Sequence, residues 1–215
     1  MIRRLVEAGV VGAGGALVGS AAGSLIGLGV PATVVAGANG VVSGWRGVYD
    51  WRCSTGPVAA VLDSSWALVT TTGSLGSHVI ASITRGGYSA SMSERRNRHV
   101  YSGGFTPRRG FAVTVGNVIS GAGDTTVESR RRLVDDHEDV HVWQARILGP
   151  IFPLVYVGWL ALGGVFGTVG WLRARLGGDR SSTLWASIDR CAYWNNPFER
   201  QAYLRASRAN RATRG

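Results

Sequence analysis

Residues 137–144 read His137-Glu138-Asp139-Val140-His141-Val142-Trp143-Gln144. Two imidazoles four residues apart leave one helix face a single turn apart, where one cation can take both. Glu138 follows the first of them and swings to the side where water would sit. Metal-assisted hydrolysis needs that set: two neutral His ligands, a third ligand, an open position for water and a carboxylate to take its proton. The expectation is a helix binding zinc through His137 and His141, with Glu138 as general base.

Upstream, Thr125-Thr126-Val127-Glu128 matches a capping box, so the helix is expected to open there and run through Gln144 towards Leu148. Asp135, Asp136 and Asp139 gather beside the two His in an otherwise basic chain, which fits a cation site better than a solvated face. Downstream, Pro150 and Pro153 interrupt the helix, and Ile147 to Leu172 is uncharged, with Gly163-Gly164 expected to break its middle.

A second uncharged run, Ala8 to Trp45, lies near the N-terminus and exceeds the 7–15 apolar residues of a usual signal core. Gly15, Gly19, Gly23 and Gly27 recur every four residues, a glycine-zipper face against which another backbone can pack closely. Gly29 and Pro31 end that helix, and Gly37, Gly40 and Gly44 offer a second small face, so a hairpin of two membrane helices is expected over residues 1–48. Arg3 and Arg4 precede it and Arg46 and Arg52 follow it, which places both ends on the cytoplasmic side by the positive-inside bias.

From Gly56 to about Gly123 the chain reads as short β-type runs, Trp66 to Thr72, His78 to Ile83 and Phe111 to Val115, separated by Gly, Ser and Pro-Arg turns. A small antiparallel sheet is the expectation. Glu94-Arg95-Arg96-Asn97-Arg98 and Arg108-Arg109 read as exposed charge clusters on its turns. All 23 basic side chains are Arg against 13 acids, so the net charge of +10 is permanent and suits an anionic surface. Without aromatic interleaving in the Arg clusters that surface is bilayer headgroups, and no nucleic-acid partner is expected. Cys53 and Cys191 are assigned no role.

The third metal ligand must come from elsewhere. Glu199, in Asn195-Asn196-Pro197-Phe198-Glu199-Arg200-Gln201-Ala202-Tyr203, is the first candidate, since an acid just after an Asn-Pro helix start is placed to point inward. Asp189 ranks next, with His78, His99 and Cys191 as further competitors. If Glu199 is the ligand, both ends of 147–172 lie on one side of a membrane. Twenty-six residues cannot cross about 30 Å twice, so the segment would dip in and return at Gly163-Gly164, or pack against the Gly-rich hairpin.

His137 to Gln144 followed by Gly149-Pro150 resembles a broad, mostly uncharacterised group of bacterial membrane-associated zinc metallopeptidases. Members carry His-Glu-x-x-His-x-x-Gln, then Gly-Pro before an apolar stretch, then an Asn-Pro-x-Glu segment. The similarity covers mainly residues 111–203 and leaves the Gly-repeat hairpin unexplained. It implies His137, His141 and Glu199 as ligands and Glu138 as the base. Asp139-Val140 departs from the small residue that many members place beside the second His, which bears on the peptidase reading more than on the metal.

The expected fold class is α+β: a transmembrane hairpin over 1–48, then a β-rich and helical domain over 49–215 with the membrane-dipping segment 147–172 and an amphipathic C-terminal helix. The expected function is a zinc-dependent hydrolase, a peptidase, in a bacterial inner membrane with its soluble part in the cytoplasm. Its partners would be membrane lipids, a peptide or protein substrate, and a second copy through the Gly15, Gly19, Gly23, Gly27 face. The alternative is a structural membrane protein that oligomerises through that face and whose metal, if any, is structural.

Overall fold

The structure, a computed structural model, describes residues 1–106, 108 and 110–212. Helices α1 (Ile2–Ser24) and α2 (Gly29–Arg46) pack together as a helical hairpin. Their glycines explain its closeness: a Cβ at Gly15 or Gly19 would stand 2.7 or 2.6 Å from the carbonyl oxygens of Ala36 or Ala32. Gly40 and Gly44 meet Gly12 and Ala8 in the same way, so the small faces are buried against each other within the chain. Gly27 lies beyond α1 in a left-handed turn and does not join that seam. Only α1 of the pair is long and apolar enough to cross a membrane; the other such helix among the described residues is Ile151–Leu176.

The expected strands at 66–72 and 78–83 are helix from Leu68 onward, with Trp66 and Ala67 in the turn before it. The chain continues as α3 (Thr55–Ser64) and α4 (Leu68–Ile83). Thr70, Thr71, Ser74, Ser77, His78 and Ala81 are the buried positions of α4, a helical period written in small and hydroxyl side chains. The hydroxyls satisfy themselves along the helix: Thr72 Oγ1, Ser77 Oγ and Ser82 Oγ donate to the carbonyls of Leu68, Gly73 and His78. The β-branched content of 66–72 therefore misled, because tertiary burial of this face outweighs local strand preference.

After a short α5 (Ala90–Ser93) come three short strands, β1 (His99–Val100), β2 (Val113–Val115) and β3 (Val118–Ser120), ordered β1-β3-β2. The sheet is mixed, not antiparallel: β1 runs parallel to β3 in register His99 with Val118, and β2 is antiparallel to β3. Gly116-Asn117 joins β2 to β3, with Gly116 at φ +57° supplying the positive φ that a two-residue hairpin turn requires. Val100 and Ile119 pack with Met92, Ala122, Val134 and Val142, which seats the sheet against the helix that follows.

That helix opens two residues later than a capping box would place it, as α6 (Glu128–Arg132) with Val127 at its start and no side-chain cap. Asp124 Oδ1 instead takes the backbone N–H and hydroxyl of Thr126, and the Glu128 carboxylate is drawn to Arg131 and Arg132. A π-helical turn (Leu133–Glu138) leads into α7 (Asp139–Leu148). Gly149 ends α7 with φ +53°, and a Cβ there would lie 2.6 Å from Trp66 Cδ1, so both conformation and space demand glycine. The cluster 94–98 is not a solvated turn, because Asn97 and Arg98 are buried. Arg108 is exposed and stacks on Phe111, while Arg109 lies outside the described residues.

Residues 1–150 and 151–215 form two compact units. In the second, α8 (Ile151–Leu176) is one unbroken helix, with Pro153 tolerated in its first turn. The chain turns at Gly177-Gly178 and comes back along α8 as α9 (Leu184–Asp189), a π-helical turn (Arg190–Trp194) and α10 (Pro197–Ala212). Gly163 does not break α8; a Cβ there would lie 2.5 Å from Ala192 Cα, and one at Gly167 would lie 2.7 Å from Ile188 Cα. The return expected within 147–172 is thus made after it, by a separate helix packed on glycines.

Candidate metal centre

His137 ends its approach on the π-helical turn and His141 lies on the first turn of α7. Both rings are buried, and their Nε2 atoms stand 3.3 Å apart. Two nitrogens held by one tetrahedral zinc at about 2.0–2.1 Å are separated by roughly 3.3–3.4 Å, so the pair fits a shared cation. Gln144, one turn on, is 2.8 Å from His141 Nδ1 through its Oε1. An Nδ1–H donated to that amide oxygen fixes the tautomer in which Nε2 carries the lone pair.

Glu138 is 4 % exposed and is held by β2, where Thr114 Oγ1 donates to Glu138 Oε2 at 2.7 Å. The strand edge thus orients the carboxylate that the spacing marks as a base. The neighbouring acids act differently from the expectation. Arg98, itself buried, bonds Asp135 and donates to Asp139 at 2.6 Å, and Arg96 donates to Asp135 at 3.0 Å. Asp135 and Asp139 are matched by guanidinia, so they anchor the helix and add no negative charge to a cation site.

In its own unit, Glu199 sits in the first turn of α10, 3 % exposed, and accepts a hydrogen bond of 2.8 Å from the Tyr156 hydroxyl of α8. Asn196 Oδ1 caps that turn by accepting the Phe198 N–H at 3.0 Å, and Pro197 takes the first helical position, as the Asn-Pro start suggested. Burial, the Tyr203 hydroxyl and then the Glu199 charge push the Tyr193 phenol up. His137 and His141 in one unit and Glu199 in the other are each buried, and each offers one atom of a kind that ligates a metal ion.

The competing ligands have other surroundings. His78 and His99 belong to a buried cluster with Arg46, Tyr88, Tyr101 and Ser43, in which His78 Nδ1 is 2.9 Å from the Tyr101 hydroxyl and His99 Nε2 is 3.0 Å from Ser43 Oγ. Burial and then the Arg46 charge push His78 down to about 3, and burial, His78 and Arg46 hold His99 well below its ordinary value. Both are therefore neutral at pH 7. Asp189 is exposed and accepts from Trp194 Nε1, and Cys53 and Cys191 are free thiols.

Sequence reasoning missed a buried salt bridge behind the centre. Arg146, on α7, donates through Nε and a terminal nitrogen to the two oxygens of Asp63 on α3. Asp63 also accepts from Tyr49 and Asn117, and Arg146 donates to the Asn97 carbonyl. A signal was present: Asp63 is the only charged residue between Arg52 and Arg85. An isolated acid in so long an uncharged stretch has to find a cation or a hydrogen-bonding cage. No family model, curated protein or solved structure matches the chain, and the centre is therefore read from its own geometry.

Proposed function

We propose that this chain is a membrane-anchored zinc-dependent hydrolase, a peptidase working near the membrane surface, with His137, His141 and Glu199 as ligands and Glu138 as general base. The observation that carries this reading is the 3.3 Å separation of the two Nε2 atoms beside a buried, oriented glutamate. Zinc in such a set supplies Lewis acidity, polarising a scissile carbonyl and lowering the pKa of water towards neutrality. The protein's own groups do the rest. Gln144 fixes the His141 ring, Thr114 fixes the Glu138 carboxylate, and Glu138 accepts the proton of the attacking water and passes it to the leaving amine. The resemblance to bacterial zinc metallopeptidases supports the same roles. Anchoring in a bacterial inner membrane, soluble face in the cytoplasm, rests on the two apolar helices and the Arg residues flanking the hairpin.

The second reading is a structural metal site in a non-enzymatic membrane protein, favoured by the burial of both His and of Glu138. Purified chain analysed for metal by mass spectrometry should contain one zinc, and Glu138→Gln should keep it while losing hydrolysis of peptide substrates. Zinc retained with no turnover in the unaltered chain would leave the structural reading standing. A metal-free preparation at neutral pH, with stability unaffected by His137→Ala, would sink both.

A further inference from the structure

An apolar groove of about 730 Å³ runs between α1 and α3, distant in function from the metal helix and independent of the hydrolase reading. One end is charged. Arg3, Glu7, Trp51 and Arg95 line it, and the Glu7 carboxylate is already held there by Arg95 at 2.5 and 2.7 Å and by Trp51 Nε1 at 2.9 Å. Two guanidinia against one carboxylate leave that end positive. The remaining walls carry no charge, and Val10 and Val61, two of their side chains, are 67 % and 51 % exposed. Along α1 the lining runs from Arg3 to Val18. At 1.5 Å per residue that is about 22 Å, the depth of one bilayer leaflet with its headgroups.

A positive, Trp-edged mouth and the uncharged channel behind it, together one leaflet long, match one kind of occupant. We propose that this groove is a binding site for an anionic phospholipid, with an acyl chain along Val10, Val18 and Val61 and the phosphate at Arg3. Trp51, amphipathic and tied to Glu7, marks the level where headgroup meets hydrocarbon. The lipid would bridge α1 to α3 and so couple the hairpin to the rest of its unit.

Full-length chain in mild detergent, mixed with dioleoyl phosphatidylglycerol or dioleoyl phosphatidylcholine and examined by native mass spectrometry, tests this. The expected result is one retained phosphatidylglycerol per chain and much weaker retention of phosphatidylcholine. Gly14→Phe projects into the groove from a position with nothing within 4 Å of a Cβ, and should reduce retention about tenfold. Should that variant lower the melting temperature, Val61→Phe from the opposite wall repeats the test. Arg3→Gln should cut the preference for phosphatidylglycerol by about fivefold. Equal retention of both lipids by the unaltered chain overturns the proposal, as does undiminished retention by a folded groove-filled variant. A dimer that forms in place of lipid binding and is lost in Gly14→Phe overturns it too, since the groove would then seat a second copy.

Discussion

Arg146 and Asp63 meet through two hydrogen bonds of 2.8 Å each, in a pocket where both side chains are at most 2 % exposed. One residue lies five positions after His141 and the other on α3, so this pair fixes α7 to the body of its unit. Removing one partner strands a buried charge. Asp63→Asn should destabilise the chain by about 3–5 kcal/mol, and replacing both by Leu and Met should cost much less. Chemical denaturation of the single and double variants measures the difference; equal losses would mean that the pair does not act as a unit.

Gln144 holds His141 by its Nδ1, across the ring from Nε2. Its replacement by Ala should therefore lower zinc affinity by about 10–100-fold while the helix stays folded. Competition against a chromophoric chelator reads this directly. Unchanged affinity would show that the ring is positioned by packing alone.

The His78 and His99 cluster imposes an acid limit on stability. Both histidines have folded-state values below the unfolded 6.5, so the unfolded chain binds more protons as pH falls. The stabilisation is complete above about pH 6.5 and is lost on descent towards pH 3, at up to about 1.4 kcal/mol per pH unit per histidine. Urea unfolding of chelator-treated protein should show this slope, and His78→Gln should make it shallower. Parallel acid limbs for the two proteins would remove His78 from the account.

Gly163 and Gly164 are adjacent on α8 yet face opposite fates. A Cβ at Gly163 collides with Ala192, while nothing lies within 4 Å of one at Gly164. Gly163→Leu should detach the π-helical turn Arg190–Trp194 and expose it to limited proteolysis, whereas Gly164→Leu should leave the digestion pattern unchanged. If both variants are cut alike, the glycine pair is a flexible break after all.

The helix that brings His137 and His141 together was legible because its signal is a spacing that only a helix turns into proximity. The hairpin was legible for the same reason, through glycines at a four-residue repeat. The segment 66–83 was not, because its buried face is made of Thr, Ser, His and Ala, and periodicity sought in large apolar residues passes over it. The acids around the His pair were read as part of a cation site because their partners, Arg96 and Arg98, approach from a segment 37 or more residues away in sequence. Gly163-Gly164 was read as an interruption, yet a glycine that breaks a helix and one that admits a neighbouring backbone look identical until the neighbour is known.

The return of the chain along α8 also limits how deeply that helix can sit in lipid. Ile188 packs at Gly167, so the exposed Asp189 and Arg190 arrive beside the middle of α8. Each charge carried to a bilayer midplane costs about 2.5–3.5 kcal/mol or more. The earlier part of α8 is covered as well, since Phe198 packs on Phe152 and Tyr156 and the buried Glu199 carboxylate accepts from Tyr156. The length and hydropathy of α8 alone would allow a crossing, and it is the polar ballast of its own returning chain that would oppose one.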